Sequence, residues 1–310
     1  MCEPALLERD LTGKTYIVTG ANSGIGFITA EQLAKQGATV VLACRKAADA
    51  EACMETIRTQ KADAAVEHIP LDLGDLASVR AFAEAFDAKH DRLDALINNA
   101  GVMNTPNGRT KDGFEMQLGV NHLGHFLLTE LLLEKLKSSA PSRIVCVSSC
   151  YHDKAMGRDG DIHFDDLAFE NEPYDGWKAY AQSKLANVLH AKELAKRLEG
   201  TGVTAVSLHP GWVRTNLAKH SMPLWFQNWV MRPLSGFIGM IEPWEGAQTT
   251  LYTVLADHVK PGAFYSQTGI YRDKAANAGG WPLVSPNPVA HDDAKATRLY
   301  EISRELTGLA

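Results

Sequence analysis

"KTYIVTGANSGIGFITAEQLAKQGATVVLAC", residues 14–44, decides the fold. KTYIVTG (14–20) is short, apolar and β-branched, and it reads as a strand. GIGFITAEQLAKQG (24–37) reads as a helix ending at Gly37, and ATVVLAC (38–44) as a second strand. Two continuously apolar strands joined through a helix predict a parallel pair covered on both faces. The turn between them is TGANSGIG (19–26). Its glycines let the backbone turn tightly and approach a pyrophosphate, which the free N–H groups and dipole of the helix N-terminus stabilise. Gly20, Asn22, Ser23, Gly24, Ile25 and Gly26 are therefore candidate cofactor-binding residues. A glycine triad alone is weak evidence and suits a ligand-free turn equally well. Here the motif has its required context, a strand before it and a helix and strand after it.

The alternation continues along the chain. Helices are predicted over 49–60, 75–90 (with Asp75 as N-cap), 115–137 and from 178 onward. Strands are predicted over 66–73, 93–101, 142–149 and 203–211. This is an α/β chain with a parallel sheet and helices on both faces, a three-layer doubly wound architecture. Ligands in such sheets bind beyond the carboxyl ends of the strands. An acidic residue at the end of the second strand would hold the ribose hydroxyls of NAD; here Cys44 stands there, followed by Arg45 and Lys46. Basic residues are unfavourable at a helix start, and a guanidinium grips a 2′-phosphate well, so the pattern points to NADP(H). Asp72 and Leu73, ending the third strand, are placed to meet the adenine.

The bulk numbers remove other classes. The 310 residues are 45% hydrophobic and 22% charged, with a net charge of -6, which argues against nucleic acid or an anionic membrane as the main partner. No secretory signal and no apolar run of membrane-spanning length are read. The five cysteines show no metal-ligand spacing, and their odd number suits reduced thiols in a cytoplasm. No metal site is expected. His122 and His125 read as helix packing or surface residues, and His152 and His163 as solvated loop histidines. The acidic stretch 161–175 reads as a hydrated loop.

In KAYAQSKLANVLH (178–190), Tyr180 and Lys184 stand one helical turn apart among apolar residues. By themselves they read first as a surface pair whose lysine reaches water. Taken together with TGANSGIG, NNAG (98–101), Asn121 in GVNHLGHF, VSS (147–149) and HPGWVRTNL (209–217), they make the chain resemble the short-chain dehydrogenase/reductase family over nearly its whole length. Its appearance is nearest the retinol dehydrogenase branch, and its carboxyl end also resembles the protochlorophyllide reductases. Trp212 stands where the light-dependent protochlorophyllide reductases carry a cysteine, which argues against that photochemistry.

The resemblance implies a single Rossmann-type domain over 1–310 and assigns roles. Tyr180 is the general acid/base. Lys184 bonds the nicotinamide ribose and, with the oxidised nicotinamide, lowers the pKa of the phenol. Ser149 holds the substrate oxygen, with Ser148 as the neighbouring alternative. Asn121 holds, by its side chain or a local kink, a water linking Lys184 to solvent. Asn99, Ala100 and Gly101 line the cofactor channel, and Pro210, Gly211, Val213 and Thr215 meet the nicotinamide carboxamide. The aromatic, methionine-rich segment 217–247 is the expected helical substrate lid. The substrate implied is a small lipophilic aldehyde, ketone or alcohol. Peripheral membrane contact and a homo-oligomer stay open. Two alternatives also stand: a C=C reductase of the protochlorophyllide type, and a catalytically silent nucleotide-binding regulator.

Overall fold

The computed structural model describes residues 2–213, 241–266 and 284–309. Thr215 and positions 217–240 of the expected lid lie outside them. A one-turn helix α1 (Pro4–Leu7) precedes β1 (Thr15–Thr19), α2 (Gly24–Lys35), β2 (Thr39–Cys44), α3 (Ala47–Gln60), β3 (Val66–Pro70), α4 (Leu76–Asp87) and β4 (Ala95–Asn98). Then come α5 (Met116–Leu118), a π-turn (Gly119–Leu123), α6 (Gly124–Leu131), α7 (Leu133–Ser138) and β5 (Ser142–Val147). A small hairpin of β6 (Lys154–Ala155) and β7 (Arg158–Asp159) leads to α8 (Gly176–Arg197) and β8 (Val203–His209). The described chain ends with α9 (Pro243–Leu255), β9 (Phe264–Ser266) and α10 (Asp293–Leu306).

Among the described residues, seven strands form one sheet in the order β3-β2-β1-β4-β5-β8-β9. Every neighbouring pair is parallel. The order reverses between β1 and β4, so a crevice opens at their carboxyl ends. Alternate residues of each strand serve opposite cores, because side chains alternate across a strand. Val18, Leu42, Ile97 and Val206 pack with Leu33 of α2, Ile57 of α3 and Leu251 of α9. Ile17, Val41, Leu96 and Ile144 pack with Phe82 and Phe86 of α4, Phe126 of α6 and Leu194 of α8. No described helix is long and apolar enough to cross a membrane.

Two sequence readings need correction. The third strand stops at Pro70, after which Asp72 closes a turn by accepting from Gly74 N at 3.0 Å. The helix read over 115–137 is not continuous. Gly124 N bonds back to Gly119 O, an i to i+5 bond, so one extra residue is wound into the turn that carries Asn121. Asp75 caps α4 by accepting from Ala77 N at 3.0 Å and Ser78 N at 3.4 Å.

Candidate active site

β1 delivers Thr19 and Gly20 to the crevice. The Thr19 hydroxyl accepts from the backbone N–H groups of Asn99 and Ala100, each at 2.9 Å. The Asn99 amide donates to Thr19 O at 2.8 Å, so Asn99 pins the end of β4 to the end of β1. Gly20 has φ +66°, and a Cβ there would lie 3.0 Å from Ala100. A Cβ on Gly26 would sit 2.5 Å from Gly20 O and from the Asn99 amide. α2 begins directly after this turn. Ser23 makes no side-chain capping bond, and the first turn holds no acidic residue. Its N–H groups and dipole therefore fit a pyrophosphate. The Asn22 amide leans to Asp49 Oδ2 at 3.4 Å, and Ile25 packs against the core.

At the carboxyl end of β2, Cys44 is buried, and burial pushes its thiol up to about 11. The end of β2 is thus electrically neutral. Arg45 and Lys46 follow, both exposed. Neither side chain forms a hydrogen bond or ion pair among the described residues, so a 2′-phosphate would meet an uncommitted guanidinium. Asp72 is half-buried and Leu73 is packed into the core beneath it.

The catalytic candidates converge where β5 meets α8. Lys184 Nζ donates to Val147 O at 3.1 Å and lies over the Tyr180 ring, 5.8 Å from its centroid. Asn187 Nδ2 donates to the same carbonyl at 3.1 Å. Ser148 Oγ donates to Lys184 O at 2.6 Å, which commits Ser148 to holding the helix on the strand. Ser149 is left free of that bond; its Oγ accepts from Tyr151 N at 3.2 Å, and its hydroxyl acts on the Tyr180 phenol by holding the phenol's pKa down. Tyr180 and Lys184 are both buried, so the surface-pair reading is excluded.

Burial raises the phenol above its ordinary range; the Ser149 hydrogen bond pulls it down, and Cys150 and Tyr151 push it up. Burial lowers the Lys184 ammonium from 10.5 to about 8, opposed by Cys146. The resemblance assigns the lowering of the phenol to Lys184 together with the oxidised nicotinamide; among the chain's own groups, burial is the largest influence on it. The amine sits over the ring face.

Asn121 packs against α8 from the other side. Its Oδ1 accepts from Val102 N at 2.8 Å, and its Nδ2 donates to Val102 O and Ser183 Oγ, each at 2.9 Å. Of the two means expected of it, the side chain is thus committed, and the kink remains. Gly101 fits between the two groups: a Cβ there would lie 3.0 Å from Asn121 Oδ1 and 3.3 Å from Lys184 Nζ. His125 joins the same network, with Nδ1 3.0 Å from Asn121 O and Nε2 2.8 Å from Thr19 Oγ1.

Pro210, Gly211 and Val213 follow β8 at the same edge, and Val213 bridges to Ile241. Beside the phenol stand two aromatic rings not singled out from the sequence. Tyr151 and Trp177 lie 6.2 and 6.5 Å from the Tyr180 ring, both edge-on. Met156, 58% exposed, sits at the tip of the β6–β7 hairpin near Tyr151. A second miss is His152, read as a solvated loop residue. It is fully buried, because the segment around Ser285 covers it.

The family model of short chain dehydrogenases matches residues 14–158. Retinol dehydrogenase 11 of Homo sapiens is 46% identical over 301 residues, covering 96% of this chain and 87% of that protein. Dehydrogenase/reductase SDR family member 13 of Bos taurus is 45% identical over 305 residues, covering 96% of this chain and 74% of that protein. A crystal structure of an uncharacterized protein from Mycobacterium paratuberculosis aligns with a TM-score of 0.75 at 36% identity, covering 97% of this chain and 95% of that one.

Proposed function

The chain belongs to the short-chain dehydrogenase/reductase family, in its retinol dehydrogenase branch, and on that basis we propose that it moves hydride reversibly between NADP(H) and a lipophilic aldehyde, ketone or alcohol. The glycine turn and Lys184 would hold a nicotinamide cofactor, which would supply or accept the hydride and, when oxidised, a positive charge near the buried phenol. Tyr180 gives its proton to the substrate oxygen in reduction and takes it back in oxidation. The Ser149 hydroxyl holds that oxygen as charge develops on it. Lys184 holds the ribose and returns the proton to Tyr180. Asn121 fixes the Gly101–Val102 turn against α8, and the carbonyls of its π-turn seat the water that links Lys184 to solvent.

The observation that carries this reading is the convergence of Ser149, Tyr180 and Lys184, all buried, at the end of β5 beside the uncapped glycine turn. Tyr151, Trp177 and Met156 give the substrate side an apolar, polarizable wall, which supports a lipophilic substrate. All five cysteines are free thiols, which supports a reducing compartment such as the cytoplasm.

The test is NADPH or NADH absorbance with a panel of aldehydes and ketones. NADPH is expected to give a kcat/KM about 10- to 100-fold above NADH, the worth of one charge-assisted hydrogen bond from Arg45. Cys44→Asp with Arg45→Ala should invert that preference. Equal use of both cofactors by the wild-type enzyme would remove the role given to Arg45.

A further inference from the structure

β5 alone does not hold Ser149. The serine opens a short 3-10 turn, Cys150–His152, and the imidazole of His152 folds back under it. His152 Nδ1 lies 2.5 Å from Ser149 O, and its Nε2 lies 2.6 Å from Ser285 Oγ. A carbonyl only accepts, so the proton of this ring sits on Nδ1; Nε2 is then bare and accepts from the Ser285 hydroxyl. Burial keeps the imidazole neutral, pushing it down to about 4, with His291 acting in the same direction. The backbone is clamped as well. Asn287 Nδ2 donates to His152 O at 2.7 Å and to Gly160 O at 2.9 Å, and Asn287 N donates to Ser285 Oγ at 3.2 Å. The Phe264 ring closes the pocket, 4.8 Å from the imidazole centroid. A Cβ on Gly160 would collide with the His152 carbonyl, so only glycine lets the two segments meet there.

We propose that His152 is a positioning residue for the reaction: by donating from Nδ1 to the Ser149 carbonyl, it fixes the peptide that carries the Ser149 hydroxyl and so aims that hydroxyl at Tyr180. The inference rests on the catalytic reading of Ser149. The competing role is that of a staple, in which His152 only tethers the segment around Ser285 through Nε2. The two nitrogens separate these roles. The amide introduced by His152→Asn reaches as far as Nδ1 and keeps the bond to Ser149 O while losing Ser285. The amide introduced by His152→Gln reaches as far as Nε2 and keeps Ser285 while losing the side-chain bond to Ser149 O, which then keeps only the backbone bond from His152 N at 3.1 Å.

The experiment measures kcat, KM and melting temperature for His152→Asn, His152→Gln, Ser285→Ala and Ser149→Ala, with NADPH and one aldehyde accepted by the wild-type enzyme. His152→Asn and Ser285→Ala should hold kcat within about threefold, although both melt lower. His152→Gln should lose about 10- to 100-fold in kcat with the KM for NADPH unchanged, the size of effect that a misplaced reacting group produces. A kcat that falls alike in the Asn and Gln variants, in proportion to melting temperature, overturns the positioning role. So does a Ser285→Ala enzyme that itself loses about tenfold or more in kcat, a result that stands even where the His152 variants fail to fold. A fully active Ser149→Ala enzyme instead overturns the reading of Ser149 on which the inference rests.

Discussion

Replacing Lys184 with methionine is expected to abolish nearly all turnover and, at the same pH 7, to raise the melting temperature by several degrees. The ammonium is buried, and among the described residues its one hydrogen bond is to Val147 O. That carbonyl keeps its bond from Asn187 Nδ2 when the lysine is gone, so methionine leaves no orphaned acceptor. The fall of the lysine from 10.5 to about 8 corresponds to an upper figure on the order of 3 kcal/mol of strain on the charged form. The sign follows from proton counts. Between pH 8 and 10.5 the native state binds fewer protons than the unfolded one, so native stability rises with pH through that window. The lysine's destabilising effect is thus complete below about pH 8 and fades as pH approaches 10.5. The gap between variant and wild type should be widest at pH 7 and close by about pH 10, as read by thermal melts at both values. A Lys184→Met protein that melts below wild type at pH 7 would show that the ammonium is well accommodated and that the fold depends on it.

Tyr180→Phe should cost about 10²–10⁴-fold in kcat, the range for removing a general acid/base, while the protein melts within a few degrees of wild type. The substitution keeps the ring, and with it the edge contacts to Tyr151 and Trp177. It removes a buried hydroxyl whose pKa the Ser149 side chain holds down. KM for NADPH should change little, because Lys184 and the glycine turn are untouched. A folded Tyr180→Phe enzyme near full activity would return Tyr180 to a packing role.

Much of the architecture was legible in residues 14–44. The strand, the glycine turn and the helix that follow each other there fix a parallel pair, and the same alternation repeats to β8. The turn chemistry was legible too, because glycine at positions 20 and 26 answers a local demand of the backbone. The π-turn was not. A single extra residue leaves the apolar spacing of 115–137 almost unchanged, and the bond of Gly124 to Gly119 has no side-chain signature. His152 was misread for another reason. What buries it is Ser285 and Asn287, 133 and 135 residues along the chain, and no local pattern announces a cover from so far away. The resemblance already favoured Ser149 over Ser148; what the sequence could not show is that the packing of α8 on β5 engages Ser148 with Lys184 O. Tyr151 and Trp177 flank Tyr180 because a loop and the first turn of α8 meet there, which single-residue reading does not reveal.

The central claim is that hydride passes between the nicotinamide and a carbonyl carbon. It is tested most directly by giving the protein NADPH deuterated at the transferable C4 position together with a lipophilic α,β-unsaturated aldehyde, and locating the label by mass spectrometry and NMR. The account predicts an allylic alcohol carrying one deuterium on the carbinol carbon, formed by wild type and about 10²–10⁴-fold more slowly by Tyr180→Phe. Deuterium on the β-carbon of a saturated aldehyde, or no labelled product from a protein that NADPH nonetheless stabilises against heat, would contradict it.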